Sequence, residues 1–208
     1  MQGLTPLVRN LIILNGLVYI AQMLLPLDFT RTIDGQDVHL MLTQMISLWG
    51  ISSPFFQPYQ FFTYMFAHGG FFHIFFNMIV LASFGPVLET YWGEKKFLIC
   101  YLVTGIGAGI IYTVVHYYLG SSDVPMLGAS GAIYGLLMAF GMVFPNLEVG
   151  LLFVPIPIKA KYLVFVVGLI TFLLDSSGNV AHLAHFGGVV VAYLLVSFWN
   201  KSGTKFNY

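Results

Sequence analysis

The chain has 208 residues, 58% of them apolar and only 8% charged, with a mean hydropathy of +0.86. Soluble domains carry about 25% charged residues, so this composition excludes a water-soluble globular protein and requires lipid as solvent. A formal net charge of zero excludes a broad basic field for nucleic acid, and the lone Cys100 excludes an internal disulfide.

A helix that crosses a bilayer needs roughly 20 apolar residues. In chain order, the runs that qualify are 8–26, 69–88, 97–119, 128–144, 160–175 and 182–199. The expected fold class is therefore all-α: a polytopic membrane protein with a six-transmembrane-helix bundle, in a single membrane domain over 1–208. The first run follows Arg9 and has the look of a signal peptide. It lacks a clear small-residue cleavage site and five more spans follow it, so it is read as a mature helix. The connection 27–68 is too polar at its start to span, with Asp28, Arg31, Asp34 and Asp37. From Leu40 to Phe62 it turns apolar and aromatic but is broken by Pro54 and Pro58. This long first outer loop is expected to carry short interfacial helices, with Trp49 and Tyr59 at headgroup level. The fourth and fifth spans are short, and short spans often end where a cavity opens to water.

Orientation follows from the eight basic residues. With six spans, Arg9, Lys95, Lys96, Lys159, Lys161, Lys201 and Lys205 fall on one face, and only Arg31 falls on the other. The second face collects Asp28, Asp34, Asp37, Asp123 and Asp175 instead. The positive-inside rule then puts both termini in the cytoplasm, with the cell (inner) membrane as the expected location. Five or seven spans would scatter the lysines.

Polar residues inside membrane helices are costly and point to function. Four stand out: His73 and Asn77 on the second span, Ser130 opening the fourth, and His185 on the sixth. These three spans run in the same direction, and each polar residue lies in the first or second turn, so all four share one outer depth. His73 and Asn77 are spaced i, i+4 on one helix face; helix–helix hydrogen bonding would account for them equally well. A serine between alanine and glycine is, taken alone, an ordinary packing residue. Gly131 with Gly135, and Ala184 with Gly188 and Ala192, form small-residue stripes that let helix backbones approach. Docking those stripes would bring Ser130 to His185, with Tyr134 one turn below the serine and placed to pack on the imidazole. Serine beside histidine is the minimal activated nucleophile. No carboxylate lies on the sixth span, so a dyad is expected rather than a triad. Asn77, His73 and the backbone N–H of Ser130 at a helix N-terminus would serve as oxyanion donors.

These residues resemble the rhomboid family of intramembrane serine proteases. Gly128-Ala129-Ser130-Gly131-Ala132-Ile133-Tyr134-Gly135 is similar to its nucleophile motif, and Ala184-His185-Phe186-Gly187-Gly188 to its general-base motif. His68-Gly69-Gly70-Phe71-Phe72-His73-Ile74-Phe75-Phe76-Asn77 resembles its oxyanion segment, followed at the family's spacing by Gly85, Glu89, Gly93 and Phe97. The serine is not in a hydrolase elbow, because Ala132 follows Gly131. The resemblance implies a Ser130–His185 dyad supported by Tyr134, Gly128, Gly131 and Gly188. It implies no metal or other cofactor, and membrane-anchored substrates cut within or near a transmembrane helix on the outer side. The fifth span, with Gly168 in a bulky run, is a candidate gate. Where many relatives carry Trp-Arg before the second span this chain has Tyr59-Gln60, which bears on how the first outer loop is anchored. His182 precedes His185 by one turn; His185 is preferred as base because it lies deeper and carries the Gly-Gly context. Two alternatives remain beside the protease: a catalytically silent relative that binds or escorts membrane proteins, and a haem or metal carrier using His182 with His185 or His68 with His73.

Overall fold

The computed structural model describes residues 3–25, 29–33, 35–119, 124–151, 154–174 and 179–202. Asp28, Asp34, Asp123, Asp175 and Lys205, all used above to read orientation, lie outside the described residues. Helix α1 (Pro6–Leu24) starts with proline at a position that needs no donor. Its free N-terminal groups point at a carboxylate from elsewhere in the chain. Thr5 Oγ1 donates to Glu89 over 2.5 Å, and the N–H groups of Leu7 and Val8 donate to it over 3.1 and 2.9 Å. A buried acid on another helix thus satisfies the α1 N-terminus and complements its dipole.

After α1 the polar segment forms a hairpin, β1 (Phe29–Ile33) with β2 (Gln36–Leu40), paired Phe29 to Leu40 and Ile33 to Gln36. The loop continues through α2 (Leu42–Ile46) and α3 (Gln60–Thr63), with a 3-10 turn at Tyr64–Phe66. Then come α4 (Phe71–Trp92), α5 (Glu94–Leu119) and α6 (Ser130–Val143). A second hairpin, β3 (Glu148–Leu151) with β4 (Val154–Lys159), leads to α7 (Leu163–Leu174) and α8 (Asn179–Lys201). The expectation of an all-α chain therefore needs correction: the protein is mostly helical, but its described residues include two two-stranded antiparallel sheets. Both hairpins fall where Thr, Val and Ile alternate or cluster, and Gly35 turns the first with a φ of +78°.

The α4 helix outlasts its predicted end at 88 and stops at Gly93, whose φ of +77° is a backbone region that favours glycine. Among the described residues, four helices are long and apolar enough to cross a membrane: Pro6–Leu24, Phe71–Trp92, Glu94–Tyr118 and His182–Lys201. Ser130–Val143 and Ala160–Leu173 are apolar but shorter. The chain is a polytopic helical membrane protein.

Contacts between helix ends sort the bundle into two poles. At one pole the α1 N-terminus meets Glu89 near the end of α4. The Trp92 and Trp199 rings lie 5.4 Å apart, and the Lys96 ammonium sits 4.6 Å from the Trp199 ring. Tyr91 packs on Phe144 at 5.1 Å, which adds the end of α6, and the Lys161 N–H reaches the Pro145 carbonyl, which adds the start of α7. Arg9, Lys95, Lys96, Lys159, Lys161 and Lys201 all lie at or near this pole. At the other pole Leu48 pairs with Met126, Gln22 bonds both Thr43 and the backbone of His68, and the Gly128 N–H donates to the Tyr64 carbonyl. Arg31 belongs to the hairpin on that side. The described basic residues thus gather at one pole, Arg31 excepted.

Candidate active site

The centre of the bundle is built from glycines. A Cβ on Gly188 of α8 would fall 1.9 Å from the Gly131 carbonyl oxygen and 2.9 Å from its carbonyl carbon, so α6 and α8 touch backbone to backbone. A Cβ on Gly131 would meet Ala108 of α5 at 2.8 Å and the Ala184 carbonyl at 3.6 Å. One on Gly187 would lie 3.1 Å from the Ala108 Cα. Helices α5, α6 and α8 therefore converge on a single point beside Ser130. The expected docking of the Gly131/Gly135 stripe on α8 is corrected in one respect. A Cβ on Gly135 would meet Thr104 of α5 at 2.5 Å, so at Gly135 the nearest neighbour is α5, whereas Gly131 lies against both α5 and α8. A residue without a side chain exposes its backbone on two flanks, and two helices use it.

Ser130 is the first residue of α6 and is half-buried. Tyr134, one turn later on the same face, stacks its ring on the His185 imidazole with centroids 4.1 Å apart and planes 10° apart. The face of α6 that carries the serine is thus the face that holds the histidine. His182 lies one turn from His185 on α8, 6.4 Å ring to ring, and packs on Phe172 of α7 at 5.0 Å. A cavity of about 330 Å³ opens between α6, α7 and α8, lined among others by Tyr134, Gly168, Phe172, His182 and His185. Both histidines face this space, but only His185 is clamped by Tyr134.

The loop entering α6 leans on the other predicted group. Gly128 has a φ of +115°, and a Cβ there would come within 2.6 Å of His73 Nε2. Only glycine both adopts that backbone and leaves room for the ring. One turn along α4, Asn77 is buried, and its Nδ2 finds no acceptor among the described residues. An unsatisfied buried amide N–H costs roughly 1–3 kcal/mol. His68 stacks edge-on to His73 at 5.1 Å and pairs through Nδ1 with the Phe66 carbonyl at 3.2 Å. Burial, and after it the neighbouring His73, push the His68 imidazole down to about 4, so it is neutral at pH 7.

Sequence reasoning missed what Gln60 does. Its side chain is almost wholly buried: Oε1 accepts from the N–H groups of Trp49 (3.3 Å) and Gln57 (3.1 Å), and Nε2 donates to the carbonyls of Met45 and Phe55, both at 3.1 Å. One neutral amide ties four points of the first outer loop together. The signal was present, as a polar residue between Tyr59 and Phe61 in an aromatic stretch, but its partners are backbone groups that no side-chain pattern marks. Among the described residues, no three of His, Cys, Asp and Glu converge as metal ligands would.

Compared with known families, residues 56–201 match the Rhomboid domain. Among curated proteins the chain is 30% identical over 152 residues to Rhomboid protein 1, mitochondrial, of Saccharomyces cerevisiae, covering 67% of this chain and 41% of that one. It is 30% identical over 130 residues to the rhomboid YdcA of Bacillus subtilis, covering 62% and 60%. It is 29% identical over 159 residues to RHOMBOID-like protein 12, mitochondrial, of Arabidopsis thaliana, covering 69% and 47%. The chain spans between 41% and 60% of the length of these relatives. The matched domain runs from the outer loop through the last helix and takes in Asn77, Ser130 and His185 together; the chain belongs to the rhomboid family.

Proposed function

We propose that this chain is an intramembrane serine endopeptidase with a Ser130–His185 dyad. The observation that carries this reading is the His185 imidazole stacked on Tyr134, one turn from Ser130, where the Gly188–Gly131 contact draws α8 onto α6. His185 takes the Ser130 hydroxyl proton as the oxygen attacks the scissile carbonyl carbon. The oxyanion that forms is held by the Asn77 amide, His73 and the Ser130 N–H, the last free because it opens a helix. The C–N bond then breaks, His185 returns the proton to the leaving amine, and water hydrolyses the acyl-serine by the reverse roles. Gly128, Gly131, Gly188 and Tyr134 shape the dyad and do not react. No metal or cofactor enters these steps.

A substrate helix hides its scissile carbonyl in i to i+4 hydrogen bonds, so membrane-anchored substrates with Gly, Pro or polar residues near the cut are favoured. The reading takes residues 1–208 as a single rhomboid-like domain with six spans, the short α6 and α7 crossing because they line a cavity rather than face lipid throughout. The test is incubation of purified protein with a fluorogenic transmembrane peptide. A silent escort protein would give no turnover in wild type.

Asn77→Ala should lower turnover by about 10- to 1,000-fold, the usual cost of one oxyanion donor, with Ser130 still reacting slowly with a fluorophosphonate. Lost labelling together with a lower Tm would instead mean that Asn77 holds α4 in place.

The basic pole sets the orientation, with both termini on that side and the dyad opening to the other. The yeast and Arabidopsis relatives are named mitochondrial. The basic side is the cytoplasm if this chain sits in the cell membrane. With Cys100 replaced by alanine, Thr30→Cys should react with an impermeant maleimide in intact cells. Asn146→Cys, in the turn after α6, should react only after permeabilisation. The opposite pattern would invert the topology and the side of cleavage with it.

A further inference from the structure

We propose that Thr171 of α7 is a positioning residue for His185, acting through the Tyr134 hydroxyl; this deepens the dyad reading and rests on it. Thr171 Oγ1 lies 2.6 Å from the Tyr134 Oη and 2.8 Å from the carbonyl of Val167, one turn back on its own helix. A threonine hydroxyl has a single hydrogen. With that hydrogen donated to Val167, the Tyr134 O–H donates to the oxygen that remains, so the bond has a direction and fixes where the phenol points. Gly168, one turn before Thr171, completes the seat. A Cβ there would touch the Tyr134 ring edge at 3.8 Å, so α7 lies directly alongside it.

The Tyr134 ring is therefore held at its hydroxyl and edge by α7, and its face lies on the imidazole at 4.1 Å and 10°. An aromatic ring turns easily about its last two torsions unless something stops it. Here the phenol plane sets the imidazole plane, and Thr171 sets the phenol. A base must meet the serine proton within hydrogen-bond reach, and a misplacement of about 1 Å can cost roughly 100-fold. Thr171 touches neither substrate nor reacting atoms. A purely structural role would be to join α7 to α6 by one hydrogen bond. The two roles separate experimentally, because a joint lowers Tm and a positioning contact lowers kcat.

The experiment uses the full chain in detergent with a fluorogenic transmembrane peptide, and a fluorophosphonate probe of Ser130 as a substrate-free readout. Thr171→Val keeps the shape and removes the hydroxyl. It should lower kcat and the labelling rate about tenfold while KM stays within about twofold and Tm within about 2 °C. Thr171→Ser should restore most of the loss. Tyr134→Phe should reproduce it, and the double variant should be no slower than the worse single, because both remove the same bond. Wild-type kcat in Thr171→Val, additive losses in the double variant, or a kcat that falls only in step with Tm would each overturn the proposal. A wild type that neither cleaves nor labels would fail differently, by sinking the dyad reading itself.

Discussion

Ser130→Ala should abolish cleavage of a transmembrane peptide and all fluorophosphonate labelling, while Tm stays within about 2 °C of wild type. The change removes one half-buried hydroxyl at the start of a helix and leaves every glycine contact of the α5–α6–α8 centre in place. Stability has little reason to move. Activity does, because removing a nucleophile from a cooperating set costs roughly 10⁴- to 10⁶-fold, and the residual rate falls below ordinary detection. His185→Ala should match it in activity. It should also lower Tm modestly, since the Tyr134 ring loses its stacking partner. His182→Ala should keep most activity, because its ring packs on Phe172 rather than on Tyr134. Retention of a tenth of wild-type turnover by Ser130→Ala would rule out the serine as nucleophile. An essential His182 would shift the base by one turn of α8.

The second large effect lies away from the chemistry. Gly188→Ala should lower both stability and turnover, because its Cβ would occupy the place of the Gly131 carbonyl, 1.9 Å away. Neither partner is a flexible side-chain end, so the helices themselves must separate. Overpacking of this kind costs about 1–3 kcal/mol, and a shift near 1 Å between His185 and Ser130 costs roughly 100-fold in rate. Gly16→Ala on α1 is the control: nothing lies within 4 Å of the added carbon, and alanine is the better helix former. Thermal unfolding in detergent and peptide cleavage on both variants would check this. Wild-type behaviour of Gly188→Ala would mean that α6 and α8 do not meet at this point.

Glu89 and Thr171 mark the limits of pattern reading. Glu89 was legible as a residue at the family's spacing, but not as the cap of α1, because its three donors lie more than 80 positions earlier in the chain. Thr171 gave no signal at all. A threonine in a membrane helix satisfies itself by bonding back to the carbonyl four residues before, as Thr171 does to Val167, so its presence among apolar residues is unremarkable. Only the arrival of the Tyr134 hydroxyl at the same oxygen gives it a second role.

By itself the amino-acid sequence determined what depends on local composition. It showed that lipid is the solvent, where the apolar helices run, which side gathers the lysines, and that Ser130, His185, His73 and Asn77 are polar where lipid penalises polarity. Each of these is a property of a short window, and a window can be read without its neighbours. The tertiary structure decided what depends on pairs distant in the chain. Gly131 lies against both α5 and α8 while Gly135 sits closest to Thr104 of α5, Gln60 ties four points of the outer loop, and α7 reaches the imidazole through Tyr134. Glycine stripes permit close approach on every face they touch, and only the simultaneous packing of three helices selects which neighbour takes the space.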